Sequence, residues 1–311
     1  MRYQVLFDRM CTGGVVILDG GTGTELERRG VPMSAKAWCG PATLSHRAQL
    51  EAVHMEYMAA GADVITANTF ASSRLMLTAA GLDDQVRTIN HTAVEAALSA
   101  RSRAGRPDVV VAGSLSHMLP FAAGVDRTSD QHQVSDQMMA DGFGELAEIH
   151  KAAGCDMIML EMMYSPDRMI HAFAAARATG LPVWCGLSVR LGDDGRVLSY
   201  MQQHDLDFAE IAKLAGESGF DAAGIMHSSP NATGPALDIL KRHFDGPLIA
   251  YPDSGFFKMP HWQFEEIIAP DRLHAFGCDW IANGARAVGG CCGLSPAHIA
   301  ALKPLKAASK T

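Results

Sequence analysis

In Asp156-Met157-Ile158-Met159-Leu160-Glu161-Met162, four consecutive apolar residues run into a carboxylate. A nearly continuous apolar stretch of this kind fits a parallel strand covered on both faces, because crossover helices bury both sides of such a sheet. Comparable runs occupy residues 15–21, 62–70, 109–115, 182–189, 222–228, 247–255 and 285–290, which together with 156–162 makes eight. Between them apolar residues recur at helical spacing, as in Leu50, Val53, His54, Tyr57 and Met58, or Phe208, Ile211, Ala212 and Ala215. Eight strand–helix repeats predict the α/β class and a single (β/α)8 TIM barrel over residues 1–311. No low-complexity tract, Pro/Ser linker or charge block divides the chain. A last helix is predicted over 297–306, with Ser295 as N-cap and Pro296 at its first position.

Composition narrows the function classes. Of 311 residues, 48% are hydrophobic and 19% charged, ample apolar material for a core and incompatible with disorder. No apolar stretch approaches the roughly 18 to 20 residues of a membrane span. The balance of 26 basic against 34 acidic residues gives −8, a surface that disfavours nucleic acid and anionic lipid. Asp8 and Arg9 interrupt the N-terminal apolar stretch, so no signal peptide is expected and a cytoplasmic location is. Small molecules are the expected partners, and a homo-oligomer is compatible with the sequence. Seven scattered cysteines do not suggest a disulfide framework. Cys11, Cys39, Cys155, Cys185 and Cys278 are isolated and expected to be small core residues.

A barrel carries its chemistry at the C-terminal strand ends, where this chain concentrates polar residues. They are Asp19-Gly20-Gly21-Thr22 after the first run, Thr66-Ala67-Asn68 after the second, Glu161, His227, Asp253 and Cys291-Cys292. The glycine turn lacks the third glycine of a dinucleotide loop and has Glu25 where a pyrophosphate would lie. Its amides could hold a smaller anion such as a carboxylate, or the glycines could serve a tight turn alone. His227, Cys291 and Cys292 are a candidate zinc set, since two thiolates and an imidazole leave a fourth position open. The bland alternatives are a hydrogen-bonded strand-end histidine, buried thiols or a vicinal disulfide. Glu161 ends an apolar run, where a carboxylate needs a cationic partner, and Asp19 invites the same argument. Two acids beside a glycine turn would suit an α-amino acid.

These motifs resemble the homocysteine S-methyltransferase family. The resemblance is carried by Leu18-Asp19-Gly20-Gly21-Thr22-Gly23-Thr24, Ala60-Gly61-Ala62-Asp63-Val64-Ile65 followed by Thr66-Ala67-Asn68-Thr69-Phe70, Glu161, Tyr251-Pro252-Asp253-Ser254-Gly255 and Gly289-Gly290-Cys291-Cys292-Gly293. It implies a barrel that holds zinc (Zn2+) through three cysteines, with Asp19 and Glu161 receiving the homocysteine ammonium. It also implies that the backbone around Gly20, Gly21 and Thr22 receives the substrate carboxylate. The chain departs from the family's Gly-Val-Asn-Cys after strand six, reading Gly224-Ile225-Met226-His227, so His227 stands where the first zinc cysteine belongs. A neutral imidazole there removes one negative charge, which should bind a substrate thiolate more tightly and leave it less nucleophilic. Asp253, which replaces an asparagine, could meet a cationic donor or hydrogen-bond within its own turn, and Gly113-Ser114-Leu115-Ser116-His117-Met118-Leu119-Pro120 departs from Gly-Ser-x-Gly-Pro. Trp38 and Tyr164 are candidates for aromatic faces toward a cationic donor, with core packing an equal alternative for Trp38.

The expected activity is zinc-dependent transfer of a methyl group to the thiol of homocysteine, giving methionine. The expected donor is a small onium compound: S-methylmethionine, a related sulfonium, or betaine. No cobalamin or folate module is expected in a chain of this size. The alternatives are a divergent member acting as demethylase or lyase on another small onium or thiol substrate, and a non-catalytic paralogue that binds a ligand.

Overall fold

All eight apolar runs become strands of one parallel sheet that closes on itself. The computed structural model describes residues 1–120, 134–258 and 260–310. The barrel strands are β1 (Val16–Ile17), β2 (Val64–Thr66), β3 (Val110–Ser116), β4 (Met157–Met163), β5 (Val183–Leu187), β6 (Ala222–Met226), β7 (Leu248–Tyr251) and β8 (Ala285–Val288). Each pairs in parallel with its sequence neighbour from β2 to β8, and β8 pairs with β1. The bridge Leu18↔Val64 joins β1 to β2 and completes the ring.

Several strands are shorter than their apolar runs. The first run gives only two ladder residues and the second only three. Their remaining residues, Asp19-Gly20-Gly21 and Ala67-Asn68-Thr69, leave the sheet to form the turns of the site. Within each strand, side chains alternate between the barrel axis and the layer under the helices. Met157 and Met159 pack inside with Val16, Leu18, Ala287 and Ile249, whereas Ile158 and Leu160 pack outward against the helices. Continuing that alternation puts Glu161 on the inner side at the C-terminal rim. Met226 fills the axis beside Gly186, where a methyl group would lie 2.0 Å from the methionine sulfur.

The opposite end of the barrel is plugged by a helix that the sequence reading did not anticipate. Arg2–Cys11 turns Tyr3, Leu6 and Met10 into the axial core, and the Tyr3 hydroxyl accepts from Trp184 Nε1 at 3.0 Å. Cys11 is exposed at its end, and Cys278 is exposed on the outer helix Pro270–Ala282, so these two are surface thiols rather than core residues. Cys39, Cys155 and Cys185 are buried. The last helix has the expected cap at Ser295 and starts at Pro296, but its α-helical part ends at Leu302 and continues as 3₁₀-helix. Pro304 accounts for the change, since it lacks the N–H that would continue the α-helical hydrogen bonding. Among the described residues no helix is long and apolar enough to cross a membrane.

Candidate functional site

The C-terminal rim is built from turns packed backbone to backbone. A Cβ on Gly21 would sit 2.7 Å from the Cys291 carbonyl oxygen and 2.9 Å from the Cys292 Cα. The glycine pair after β1 therefore lets the double-cysteine turn approach. Gly290 N donates to Asp19 O at 3.1 Å, Cys291 N to Pro252 O at 2.6 Å and Ser254 N to Cys292 O at 3.0 Å, so that turn is clamped between the ends of β1 and β7. Gly293 adopts φ 81° with its Cα facing the Ser254 carbonyl, a conformation that favours glycine.

Within this clamp the imidazole of His227 and the sulfurs of Cys291 and Cys292 lie within 4.8 Å of one another, all three residues buried. Cys291 Sγ is 3.5 Å from His227 Nδ1, 3.4 Å from Nε2 and 3.9 Å from Cys292 Sγ. The thiol of Cys291 and the adjacent His227 hold Cys292 down to about 6, while burial drives Cys291 well above an ordinary thiol. Burial alone would lower His227, but Cys292 and Glu161 outweigh it and hold it up to about 10. Two soft sulfurs and an imidazole nitrogen, converging with one thiolate already favoured, form a donor set suited to a soft or borderline divalent metal.

Above them is a narrow cavity of about 40 Å³, room for roughly three water-sized groups. Gly20, Gly21, Thr22, Asn68 and Glu161 line it together with the three candidate ligands. Glu161 Oε2 lies 3.1 Å from His227 Nε2, and no lysine or arginine reaches this carboxylate among the described residues. Thr22 Oγ1 is buried without a partner, whereas Gly21 N already donates to Leu294 O at 3.3 Å. The Asn68 amide is engaged: it donates to Cys39 O at 3.0 Å and Thr43 Oγ1 at 3.1 Å, and accepts from the Cys39 thiol at 3.1 Å.

Two of the sequence candidates do not line the cavity. Asp19 accepts from Thr66 N at 2.6 Å, Thr66 Oγ1 at 3.2 Å and Tyr251 OH at 2.9 Å, and it is Thr66 and Tyr251 that line the cavity. Burial raises Asp19 to about 7 against these stabilising bonds. Asp253 is also raised to about 7, by burial and the neighbouring Cys292, with His227 opposing.

Tyr164, a candidate aromatic face, points elsewhere, edge-on to His117 at 4.5 Å and Tyr200 at 5.8 Å. Trp38 does line the cavity, edge-on to Phe70 and Phe257, each at 6.3 Å. Phe70, which sequence reasoning quoted only within a motif, stacks on the His227 ring at 5.0 Å. Tyr251 also lines the cavity, and a tyrosine ending an aliphatic strand is the visible signal for it. Trp38, Met162 and His227 have φ of 42°, 57° and 44°. Such left-handed backbone in non-glycine residues marks strain held by its surroundings and clusters at functional sites.

The homocysteine S-methyltransferase family profile matches residues 16–305, with every rim turn inside the match. The chain belongs to the homocysteine S-methyltransferase family. It is 28% identical over 306 residues to the homocysteine S-methyltransferase of Escherichia coli, covering 93% of this chain and 94% of the relative. It is 26% identical to betaine–homocysteine S-methyltransferase 1 of Danio rerio, covering 96% of this chain and 74% of the relative. The crystal structure of the homocysteine methyltransferase MmuM from Escherichia coli, in its metallated form, superposes with a TM-score of 0.78 at 25% identity, covering 97% of this chain and 99% of that one. The fold agrees with the barrel expected from the strand pattern, and the chain is a methyltransferase of this family.

Proposed function

We propose that this methyltransferase transfers a methyl group from a small onium donor, S-methylmethionine or a related sulfonium or betaine, to the thiol of homocysteine, giving methionine. The observation that carries the proposal is the convergence of His227, Cys291 and Cys292 at the base of a cavity lined by Glu161. These three residues would hold Zn2+, and the soft donor set with one low-lying thiol fits that ion. When bound, zinc supplies the Lewis acidity that keeps an acceptor thiol deprotonated near neutral pH.

The chain's own groups do the rest. Glu161 Oε1 has no hydrogen-bond partner among the described residues and would receive the acceptor's ammonium, with Asp19 adding negative charge from behind Tyr251. The unpaired Thr22 hydroxyl, beside Gly20 and Gly21 at the start of helix Thr22–Arg28, would receive its carboxylate. Trp38 and Phe70 offer ring faces to a cationic donor. The acceptor sulfur attacks the donor methyl carbon in line; the bond from methyl to the donor heteroatom breaks, and its electron pair stays on that heteroatom. Positive and negative charge annihilate in this step, so a narrow, water-poor cavity favours it.

The contact between His227 and Glu161 favours one second reading, in which the acceptor is another small thiol. The test is elemental mass spectrometry of the purified protein, His227→Ala and Cys291→Ala/Cys292→Ala, followed by methyl transfer from isotopically labelled donors with and without homocysteine. Near-stoichiometric zinc lost in both variants, with label appearing in methionine, is the expected result. A chain that refuses zinc, or turnover that ignores homocysteine, would overturn the proposal.

A further inference from the structure

We propose that Glu161 is the positioning residue for His227. Its Oε2 accepts from Nε2–H and so presents Nδ1 as the metal-binding atom. The inference rests on the metal site proposed above and deepens it.

The contacts with sulfur do not choose between the two ring nitrogens, which lie 3.5 and 3.4 Å from Cys291 Sγ. Glu161 does choose, since only Nε2 is within reach of its carboxylate, at 3.1 Å. A carboxylate cannot donate, so the proton of this bond belongs to Nε2, and the proton that a metal would displace is the one on Nδ1. The ring has little freedom to turn over, because Phe70 stacks on it with planes 24° apart.

The backbone at both ends of this contact departs from regular strand. The ladder from β4 to β5 shifts register between Leu160 and Met163, with Met162 at φ 57°. Bulges of this kind re-aim a neighbouring side chain. His227 itself sits at φ 44°, one residue past the end of β6. Strained backbone at His227 and at Met162, next to Glu161, and a carboxylate 5% exposed with no other cation in reach among the described residues, are what a positioned pair requires.

The charge arithmetic gives the pair its chemical sense. A histidine in place of a thiolate removes one negative charge from the donor set, and a carboxylate hydrogen-bonded to the far nitrogen returns it through one bond. Such an outer partner fixes the tautomer and makes the ligating nitrogen more basic. A cysteine at this position would instead place a thiolate next to the same carboxylate, where the two repel. The role of Glu161 as a metal-affinity residue is thus tied to His227.

The test measures zinc affinity by competition with a chromophoric chelator for the wild-type chain, Glu161→Gln, His227→Cys and the double variant. Alongside it, ¹H–¹⁵N long-range correlation spectra of ¹⁵N-histidine-labelled, zinc-loaded wild-type protein report which nitrogen of His227 carries the proton. The expected result is a proton on Nε2 with zinc on Nδ1. Glu161→Gln should weaken zinc binding by roughly 10- to 100-fold in the histidine background and produce no loss in the cysteine background. Zinc on Nε2 overturns the inference, as does an equal loss in both backgrounds, with the metal site itself left standing. A wild-type chain that takes up no zinc overturns the metal site as well. The spectrum needs no variant, so a misfolded double variant does not shield the proposal.

Discussion

Replacing His54 by leucine should stabilise the protein, and by more in acid than at neutral pH. His54 lies in helix Arg47–Ala60 with no exposed surface, and neither ring nitrogen has a hydrogen-bond partner. Burial lowers it to about 4, with Glu51 opposing weakly. Its folded value is thus below the unfolded one of about 6.5, so the neutral ring is tolerated above pH 6.5 and stability drains away as pH falls toward 4. At pH 5 the loss is about 2 kcal/mol, from ~1.5 units at 1.36 kcal/mol each, and it levels off near 3 kcal/mol below pH 4. Leucine removes that titration. It also removes two unpaired buried nitrogens, each costing about 1–3 kcal/mol, against a packing penalty under about 1.5 kcal/mol for a side chain of similar volume. Urea denaturation at pH 7 should show His54→Leu ahead by about 1–2 kcal/mol, with the gap widening by about 2 kcal/mol at pH 5. Parallel loss of stability in the two proteins between pH 7 and 5 would refute the burial argument.

Three further outcomes follow from the same contacts. Gly21→Ala drives a methyl group against the Cys291 carbonyl at 2.7 Å, so it should cost about 1–3 kcal/mol in thermal unfolding and lower zinc content by elemental analysis. His117→Leu strips the acceptor from the Tyr164 and Ser165 amides, which donate to His117 Nε2 at 3.0 and 3.2 Å. The two orphaned amides outweigh the relief of the unpaired His117 Nδ1, so stability in urea should fall by about 1–3 kcal/mol while zinc content stays unchanged, because His117 lies outside the ligand set. Trp38→Leu removes the tryptophan face from the cavity wall. Steady-state kinetics should show the KM for an onium donor raised about 2- to 30-fold, as a contact of ~0.5–2 kcal/mol requires, with the KM for homocysteine nearly unmoved.

The barrel was legible because burial on both faces leaves a mark that needs no partner: an apolar run, repeated eight times with helices between. The strand ends were legible by the same logic in reverse, since Glu161 and His227 interrupt runs that should have stayed apolar. What stayed hidden depends on contacts across the fold. The plug helix Arg2–Cys11 is stable only because Tyr3, Leu6 and Met10 find the open end of a barrel formed by later residues. Asn68 and Asp253 occupy motif positions, yet their surroundings are set by the loop around Cys39 and by Cys292. As aromatic residues near the rim, Tyr164 and Trp38 both qualify in the sequence, with core packing the competing reading for Trp38. Only the structure separates them, turning Tyr164 toward His117 and Trp38 into the cavity.

The glycines of the first turn serve backbone packing as well as any ligand. Their number invites an anion-binding reading, but a Cβ at Gly20 would meet the Leu294 carbonyl oxygen at 2.4 Å and one at Gly21 the Cys291 carbonyl at 2.7 Å. The absent side chains face another turn, not only a ligand, and Gly21 N is already hydrogen-bonded to Leu294 O. The turn therefore fixes where the two cysteines stand before it offers anything to a substrate. Three rim turns bonded to one another through backbone groups form a rigid frame, and rigid frames tolerate changed side chains better than changed backbone. A cysteine-to-histidine replacement after β6 is the kind of change such a frame accommodates, provided a neighbour restores the missing charge. Glu161, already aimed at the same point, is the residue placed to do so.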